Sequence, residues 1–493
     1  MPDSSNAKLK SNAINMFDNT VVGIASTAPA YSLAVSFGSL IVIVGFMSPA
    51  VLLINFLPIL GIACAFYYMN KYYGPSAGGI YTWVGGGLNP HLGYMAGWAI
   101  IAADVLQLIS GSIPVGTYTL DLFDPSLAND TLLVSLISAA WFVLVSLIVI
   151  RGIEITIKFQ WVLLLIEYVA LIVFAAIALY HAYALNVPGS SHISWSWFIF
   201  HGNFATFASA TTIAVFFYWG VDSITNLGEE SKDAATNPGW AGIWATVGLL
   251  VIFMIVALSI QALLPAKVIA EHQADILNYV ATRLVPYPWN DIMILCVMSS
   301  TLATLETSLL PTARVTLEMA RDKVFPKAFA RVHNTWKTPW LGTAIIGLIS
   351  LIGIFLLNLS SGVGHFLDSA LNNAGIMVAY YYGITGIACA WYMRRNLRNW
   401  STIILGFIFP LLSGMYLLIV GAEVLIESGF TSSLPALLSF VIGIPIMIYY
   451  AIKEKDWFKR PLKQLPRIDI KKFSEDPIEY QKEIEQMNPK PNV

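Results

Sequence analysis

The chain has 493 residues, of which 57% are hydrophobic and 11% charged, less than half of the roughly 25% charged residues of a soluble globular domain. That balance excludes an ordinary soluble enzyme. With 27 basic against 29 acidic residues, no basic excess argues for a nucleic-acid partner, and the partner to consider is lipid.

At roughly 20 residues per membrane crossing, apolar runs predict about twelve helices in an all-α integral membrane protein. They fall at 14–45, 47–70, 92–120, 131–150, 155–182, 203–228, 240–264, 289–320, 340–358, 368–392, 400–425 and 433–452. The stretch from Thr131 to Ile150 carries no charge and as a helix rises about 30 Å, the thickness of the hydrocarbon core. Residues 1–13 are polar and lack a cleavable leader pattern, so the first span is expected to stay and act as its own insertion signal. Cys64, Cys296 and Cys389 are few and far apart in apolar surroundings, which predicts buried small hydrophobes and neither a disulfide framework nor a metal site.

Basic residues are retained on the cytoplasmic side of a membrane. With the N-terminus inside, 25 of the 27 Lys and Arg fall in cytoplasmic loops or the tail, and only Lys267 and Arg283 fall outside. Both termini are therefore expected in the cytoplasm. The tail from 453 to 493 is charged, dotted with proline and short of apolar periodicity, which predicts a partly disordered cytoplasmic segment.

Two predicted spans break helical rules. The first contains Ser26, Thr27, Ala28, Pro29, Ala30 and Tyr31, where Pro29 removes a backbone donor amid small hydroxyl residues; a plain proline kink is the simpler alternative. The sixth carries Phe216, Phe217, Tyr218, Trp219, Gly220 and Asp222. Irregular backbone at membrane depth survives only where it is packed in protein or lines a cavity. Two such helices at matching places in two five-helix halves, 14–182 and 203–392, point to a transporter with its substrate at the midplane. The remaining helices, 400–452, are then additions.

Four ordered stretches carry a resemblance. Gly74-Pro75-Ser76-Ala77-Gly78-Gly79-Ile80-Tyr81 follows the second span, with Asn89-Pro90 and Gly97-Trp98 beyond it. Gly228-Glu229-Glu230 closes the sixth with Asn237-Pro238, and Met319-Ala320-Arg321-Asp322-Lys323 and Phe325-Pro326 follow the eighth. Together they resemble the amino acid, polyamine and organocation (APC) superfamily of permeases. The resemblance implies a LeuT-type fold, a 5+5 inverted repeat plus two C-terminal helices, with alternating access and secondary transport of amino acids or amines. Relatives that bind α-amino acids show a Gly-Ser-Gly-like turn whose amides hold the substrate carboxylate. Here Ser26 to Ala30 has no glycine and one amide fewer, which weakens the case for carboxylate recognition, although the Ser26 and Thr27 hydroxyls could compensate. Some proton-coupled relatives place a lysine midway along the fifth helix; here the ionisable residue at that depth is Glu167.

Four acids, Asp104, Glu167, Asp222 and Glu306, fall in mid-span, with no Lys, Arg or His at comparable depth. At about 2.5 to 3.5 kcal/mol for each on insertion scales, four ionised and unpaired acids would cost on the order of 10 to 14 kcal/mol. Each needs a bound proton, a metal cation or a cationic substrate, or as a protonated carboxyl the hydrogen bonds of neighbouring hydroxyls.

The expected substrate-binding residues are Ser26, Thr27, Ala28, Ala30, Tyr31, Asp104, Phe217, Tyr218, Trp219 and Asp222, with Tyr218 and Trp219 as an aromatic lid able to hold an ammonium group. Glu167, Glu306 and Asp222 are expected to serve proton or ion coupling, with H⁺ favoured over Na⁺ and no cofactor. Tyr380, Tyr381 and Tyr382 are expected to pack between helices. Glu229, Glu230, Arg314 and Arg321 are expected to form cytoplasmic gate or structural ion pairs.

The expectation is a proton-coupled transporter of amino acids or related amines in a bacterial plasma membrane, leaning to cationic substrates such as polyamines or basic amino acids. A neutral amino acid symporter, an exchanger or a non-transporting sensor is the alternative. Enzyme activity is not expected, because no nucleophile–base pair or metal-ligand cluster falls at one depth.

Overall fold

A computed structural model describes residues 8–273, 275–358, 363–397 and 399–465. The tail beyond residue 465 and Arg398, one of the basic residues counted above, lie outside the described residues. Among the described residues the chain is helical, with no strand beyond an isolated bridge between Ile14 and Ser231.

The first predicted span is two helices, α1 (Met16–Ala25) and α2 (Pro29–Val44), followed by α3 (Ser48–Tyr72). A short α4 (Ile80–Gly87) precedes α5 (Pro90–Ser110) and α6 (Ser112–Asp121), which together replace the single helix expected at 92–120. Next come α7 (Thr131–Arg151), α8 (Ile153–Tyr183), α9 (Phe204–Phe216) and a 3₁₀ segment, Val221–Glu230. The rest of the bundle is α10 (Asn237–Leu263), α11 (Ala266–Glu271), α12 (Ile276–Leu284), α13 (Asp291–Arg321), α14 (Trp340–Asn358) and α15 (Val363–Met393). Then follow α16 (Trp400–Ile403), a π-helical turn at Ile404–Ile408, α17 (Phe409–Ser432), α18 (Leu434–Lys453) and α19 (Lys455–Phe458).

Local chemistry sets several of these starts. Asn15 opens α1 with a capping box, its side chain accepting from Phe17 N and Asp18 N while Asp18 accepts from Asn15 N. Asn89 and Asp130 cap α5 and α7, each satisfying backbone donors that have no partner inside the helix.

Among the described residues ten stretches are long and apolar enough to cross a membrane, and the first, Met16–Tyr72, runs for 57 residues. At ~20 residues per crossing that length accommodates two passages. Leu132, Leu136, Leu147, Leu165, Val169 and Ile172 stand exposed on α7 and α8, a cost in water that a lipid environment removes. Exposed Trp195, Tyr287, Trp289 and Trp400 sit near helix ends, the position that aromatic side chains favour at a membrane surface.

The helix α13 is buried along most of its length and packs against α5, α6, α7 and α8, while α1 packs on α10 and α8. All three cysteines are buried, as the sequence predicts. The tail is more structured than expected as far as Leu465. Trp457 stacks on Tyr81 at 5.6 Å and donates from Nε1 to Asp322 Oδ2 at 2.8 Å. Lys463 N donates to Gly86 O at 2.8 Å, so this segment straps the α4 region in place. Two aromatic residues, Trp457 and Phe458, supply the burial that the tail's mean composition hides.

Candidate substrate site

The first break uses every amide it has. Ser26 N donates to Val22 O at 2.9 Å, Thr27 N to Ile24 O at 3.2 Å and Ala28 N to Ala25 O at 3.1 Å. Ala28 takes a left-handed backbone, φ 46°, at about 1 to 2 kcal/mol for a residue with a Cβ. Pro29 then begins α2 without an N–H. The next two donors are satisfied from neighbouring helices: Ala30 N by Glu167 Oε1 at 2.6 Å and Tyr31 N by Ser300 Oγ at 3.2 Å. Ser300 Oγ also donates to Glu167 Oε1 at 2.8 Å. The carboxyl of α8 thereby caps α2 and ties it to α13.

The second break lies across from it. After α9 ends, Gly220 takes φ 116°, a conformation open to glycine and costly for other residues. A Cβ there would lie 2.5 Å from the Ser26 carbonyl oxygen. Ser26 Oγ donates to Gly220 O at 2.7 Å, so the two breaks touch. Tyr382 Oη donates to Asp222 Oδ1 at 2.7 Å and accepts from Gly220 N and Asp222 N at 3.3 and 3.4 Å. Trp219 Nε1 donates to Tyr381 Oη at 2.8 Å. The expectation of plain packing is thus corrected for Tyr381 and Tyr382, which hold the second break. Tyr380 does pack, against Phe440.

Between the breaks lies a cavity of about 20 Å³, lined by Ser26, Thr27, Ala28, Tyr31, Asp104, Gln107, Trp219, Asp222 and Ser308 among others. That volume holds about one water, so the site is collapsed and must expand to admit a solute. Asp104 Oδ2 accepts from Thr312 Oγ1 at 2.8 Å, and the buried Gln107 Oε1 has no hydrogen-bond partner among the described residues. Among the described residues no Lys, Arg or His lines this cavity.

Phe216 and Trp219 line both this cavity and a vestibule of about 530 Å³ that includes Ser36, Ser39, Thr212 and Gln273. They form the partition between the two. Of the two expected lid aromatics, Trp219 faces the cavity, while Tyr218 donates to Leu52 O at 3.1 Å; Phe217, also expected at the site, packs edge-on against Phe253. Ala30 contributes its amide to Glu167 and does not line the cavity. Glu306 stands apart, accepting from Gln160 Nε2 between α13 and α8.

Two features of the site were missed in the sequence. Gln107 lies three residues after Asp104, and i,i+3 spacing puts the pair on one face of α5. Along α13, Ser300, Thr304, Ser308 and Thr312 recur every fourth residue. They reach Glu167, Ala25 O, the cavity and Asp104 in turn.

The helix ends that carry the basic residues are closed. Arg314, 2% exposed, makes a bidentate pair with the fully buried Glu230, from Nε at 2.5 Å and from Nη2 at 2.9 Å. Arg321 Nη1 bonds both Glu229 and Glu318 at 2.9 Å. Glu229 accepts from Ala77 N at 3.3 Å, and Asn226 donates to Ala77 O at 2.9 Å. At Gly79, φ 46°, a Cβ would lie 2.5 Å from Thr225 Oγ1. The Gly-rich stretch after α3 thus fits against the Glu-Glu segment as one lock. Among the described residues no group of three or more His, Cys, Asp or Glu is placed to hold a metal ion.

An apolar bundle whose two interrupted helices meet around an occluded polar cavity, walled by charge pairs on one side and a vestibule on the other, defines a multi-pass membrane transporter. The chain belongs to the amino acid permease family, which it matches over residues 20–452. It is 25% identical over 334 residues to the low-affinity putrescine importer PlaP of Escherichia coli, covering 66% of this chain and 69% of that protein. It is also 25% identical over 486 residues to the methylthioribose transporter of Bacillus subtilis, covering 92% and 95%. A third relative is an uncharacterized transporter of Mycobacterium tuberculosis, 25% identical over 283 residues, covering 56% and 58%. These relatives are transporters and not enzymes, and the chain is a multi-pass protein of the cell membrane.

Proposed function

We propose that the chain carries a small cationic amine into the cell by alternating access, driven by a proton. The observation that carries this reading is the cavity lined by Asp104, Asp222 and the unpartnered Gln107 Oε1, with no basic side chain in its wall among the described residues. Oxygen acceptors without a protein cation suit an ammonium, which brings both the charge and the donors. The name of the E. coli relative, a putrescine importer, points the same way.

In this reading the fold is LeuT-type, with twelve crossings. Residues 14–182 and 203–392 form inverted five-helix halves, residues 400–452 are additional, and both termini lie in the cytoplasm. The structure then corresponds to an outward-facing, occluded state, with the basic face sealed by Arg314–Glu230 and Arg321–Glu229. Glu167 is the proton carrier. It bridges α8, the first break and α13 through Ala30 N and Ser300, so a change in its charge alters how α2 is held. An inward proton gains about 2.3 kcal/mol per 100 mV.

A neutral solute is the second reading, favoured by the match along nearly the whole length of the methylthioribose transporter. Uptake into proteoliposomes, with putrescine, cadaverine, basic and neutral amino acids and methylthioribose compared with and without a pH gradient, tests both. Accumulation of amines that follows the pH gradient is expected. Carriage of neutral solutes alone overturns the cationic substrate, and flux that follows a sodium gradient at constant pH overturns the proton.

A further inference from the structure

The backbone at the first break decides whether the site accepts a substrate carboxylate. In a helix broken at mid-membrane, the free amides at the start of the second half are the natural dock for a carboxylate, because they donate hydrogen bonds and lie at the positive end of the helix dipole. In this chain that dock is already filled. We infer that Glu167 occupies, from inside the protein, the place a substrate carboxylate would take at the start of α2, and that the cavity therefore selects amines that carry no carboxylate. The inference deepens the proposed cationic reading and rests on it for the amine.

The donor inventory leaves no vacancy. Thr27 N and Ala28 N are returned to α1, Pro29 has no N–H, and Ala30 N and Tyr31 N go to Glu167 and Ser300. The hydroxyls at the break are spent as well: Ser26 Oγ donates to Gly220 O, and Thr27 Oγ1 to Ile24 O at 2.8 Å. On the facing break, the amides of Gly220 and Asp222 point to Tyr382 Oη. A carboxylate entering the cavity would find Asp104 and Asp222, no cation and no backbone N–H, with only neutral side-chain donors such as the Gln107 amide and the Ser308 hydroxyl in reach. A buried carboxylate set against two carboxyls without a cation is penalised by roughly ten- to hundredfold in affinity. An ammonium meets the opposite surroundings, with two carboxyls and a free amide oxygen to receive its protons. Putrescine and methylthioribose, the compounds in the names of two relatives, both lack a carboxylate.

Glu167 is a specificity-determining residue here without touching the substrate. It fills the dock, and removing it should open the dock. The test uses matched pairs differing by one carboxylate, putrescine with ornithine and cadaverine with lysine, read on the full-length protein as binding by thermal shift and, for the parent alone, also as competition for uptake, since the Glu167 variants lack the proposed proton carrier. The amine of each pair is expected to bind at least about tenfold more tightly than its amino acid. Glu167→Gln keeps an oxygen for Ala30 N and should keep that gap. Glu167→Ala frees Ala30 N and should narrow the gap to about threefold or less.

Ornithine or lysine binding as well as its amine overturns the inference, as does a gap unchanged in Glu167→Ala. If Glu167→Ala does not fold, the wild-type pairs still decide the main claim. If neither amine nor amino acid binds and methylthioribose does, the cationic reading fails while exclusion of carboxylates stands.

Discussion

The two broken helices meet at one hydrogen bond, Ser26 Oγ to Gly220 O, yet they are built on opposite plans. The first break gives its spare amides to a carboxyl on α8 and a hydroxyl on α13, so its polar groups are closed within the protein. The second holds its carboxyl, Asp222, next to the cavity, oriented by Tyr382. The first places an alanine in the left-handed region and the second a glycine. The contrast separates two tasks that a transporter must perform: one break is wired to the scaffold and can report a change in charge, while the other keeps an acceptor for the solute. A break with all its donors spent serves poorly as a binding surface, whatever residues surround it.

The largest effect is expected at the acceptor. Asp222→Asn leaves a similar shape and a bond to Tyr382 but removes the charge that an ammonium would meet. Loss of one partner of a buried charge pair costs about 3 to 5 kcal/mol, which is two orders of magnitude or more in uptake efficiency. Initial-rate uptake of putrescine measures it, and an unchanged rate would place the solute away from the second break.

Gly220→Ala tests the contact between the breaks. Its Cβ would fall 2.5 Å from a backbone oxygen, which no rotamer change relieves, and φ 116° adds strain of its own. Overpacking of this kind costs about 1 to 3 kcal/mol, so a lowered thermal midpoint and roughly tenfold slower uptake are expected. Tyr382→Phe follows. It removes a hydrogen bond to a charged group, about 1.5 to 3 kcal/mol, and leaves the amides of Gly220 and Asp222 without their acceptor. Uptake is expected to fall about tenfold with little loss of folded protein, and preserved uptake would show that Asp222 needs no orienting partner.

How much of this was readable beforehand varies with the kind of contact. Apolar runs set the spans to within a few residues, because the membrane imposes a length, and Pro29 and Gly220 marked both breaks because proline lacks the amide a helix needs and glycine takes a left-handed backbone at little cost. Depth alone singled out Asp104, Glu167, Asp222 and Glu306. What each acid faces was not readable, since the Ala30 amide lies 137 residues from Glu167 and Tyr382 lies 160 from Asp222. Three consecutive tyrosines, 380 to 382, point in three directions on one helix, and composition does not say which reaches a site. Arg314 was grouped with the loops because it sits near the end of a span, and its burial against Glu230 follows from the closed lock beneath the site. The hydroxyl ladder on α13 was legible in its spacing of four and went unread because serine and threonine are common in membrane helices.

Ala28→Gly is expected to do least, and it separates the shape of the first break from its partners. Glycine relieves the left-handed strain of about 1 to 2 kcal/mol, but it loosens the unfolded chain and returns about 0.4 to 1 kcal/mol of that gain. The net change in the thermal midpoint should therefore be a rise of a degree or two at most, with putrescine uptake within about twofold of the parent. The substitution leaves Ala30 N on Glu167 and Tyr31 N on Ser300, so the gap between putrescine and ornithine should not move. If glycine at position 28 alone admits ornithine, then backbone shape sets the selectivity of the first break, and the filling of its dock by Glu167 does not. If the gap holds in Ala28→Gly and closes in Glu167→Ala, the carboxyl from α8 is the discriminating group.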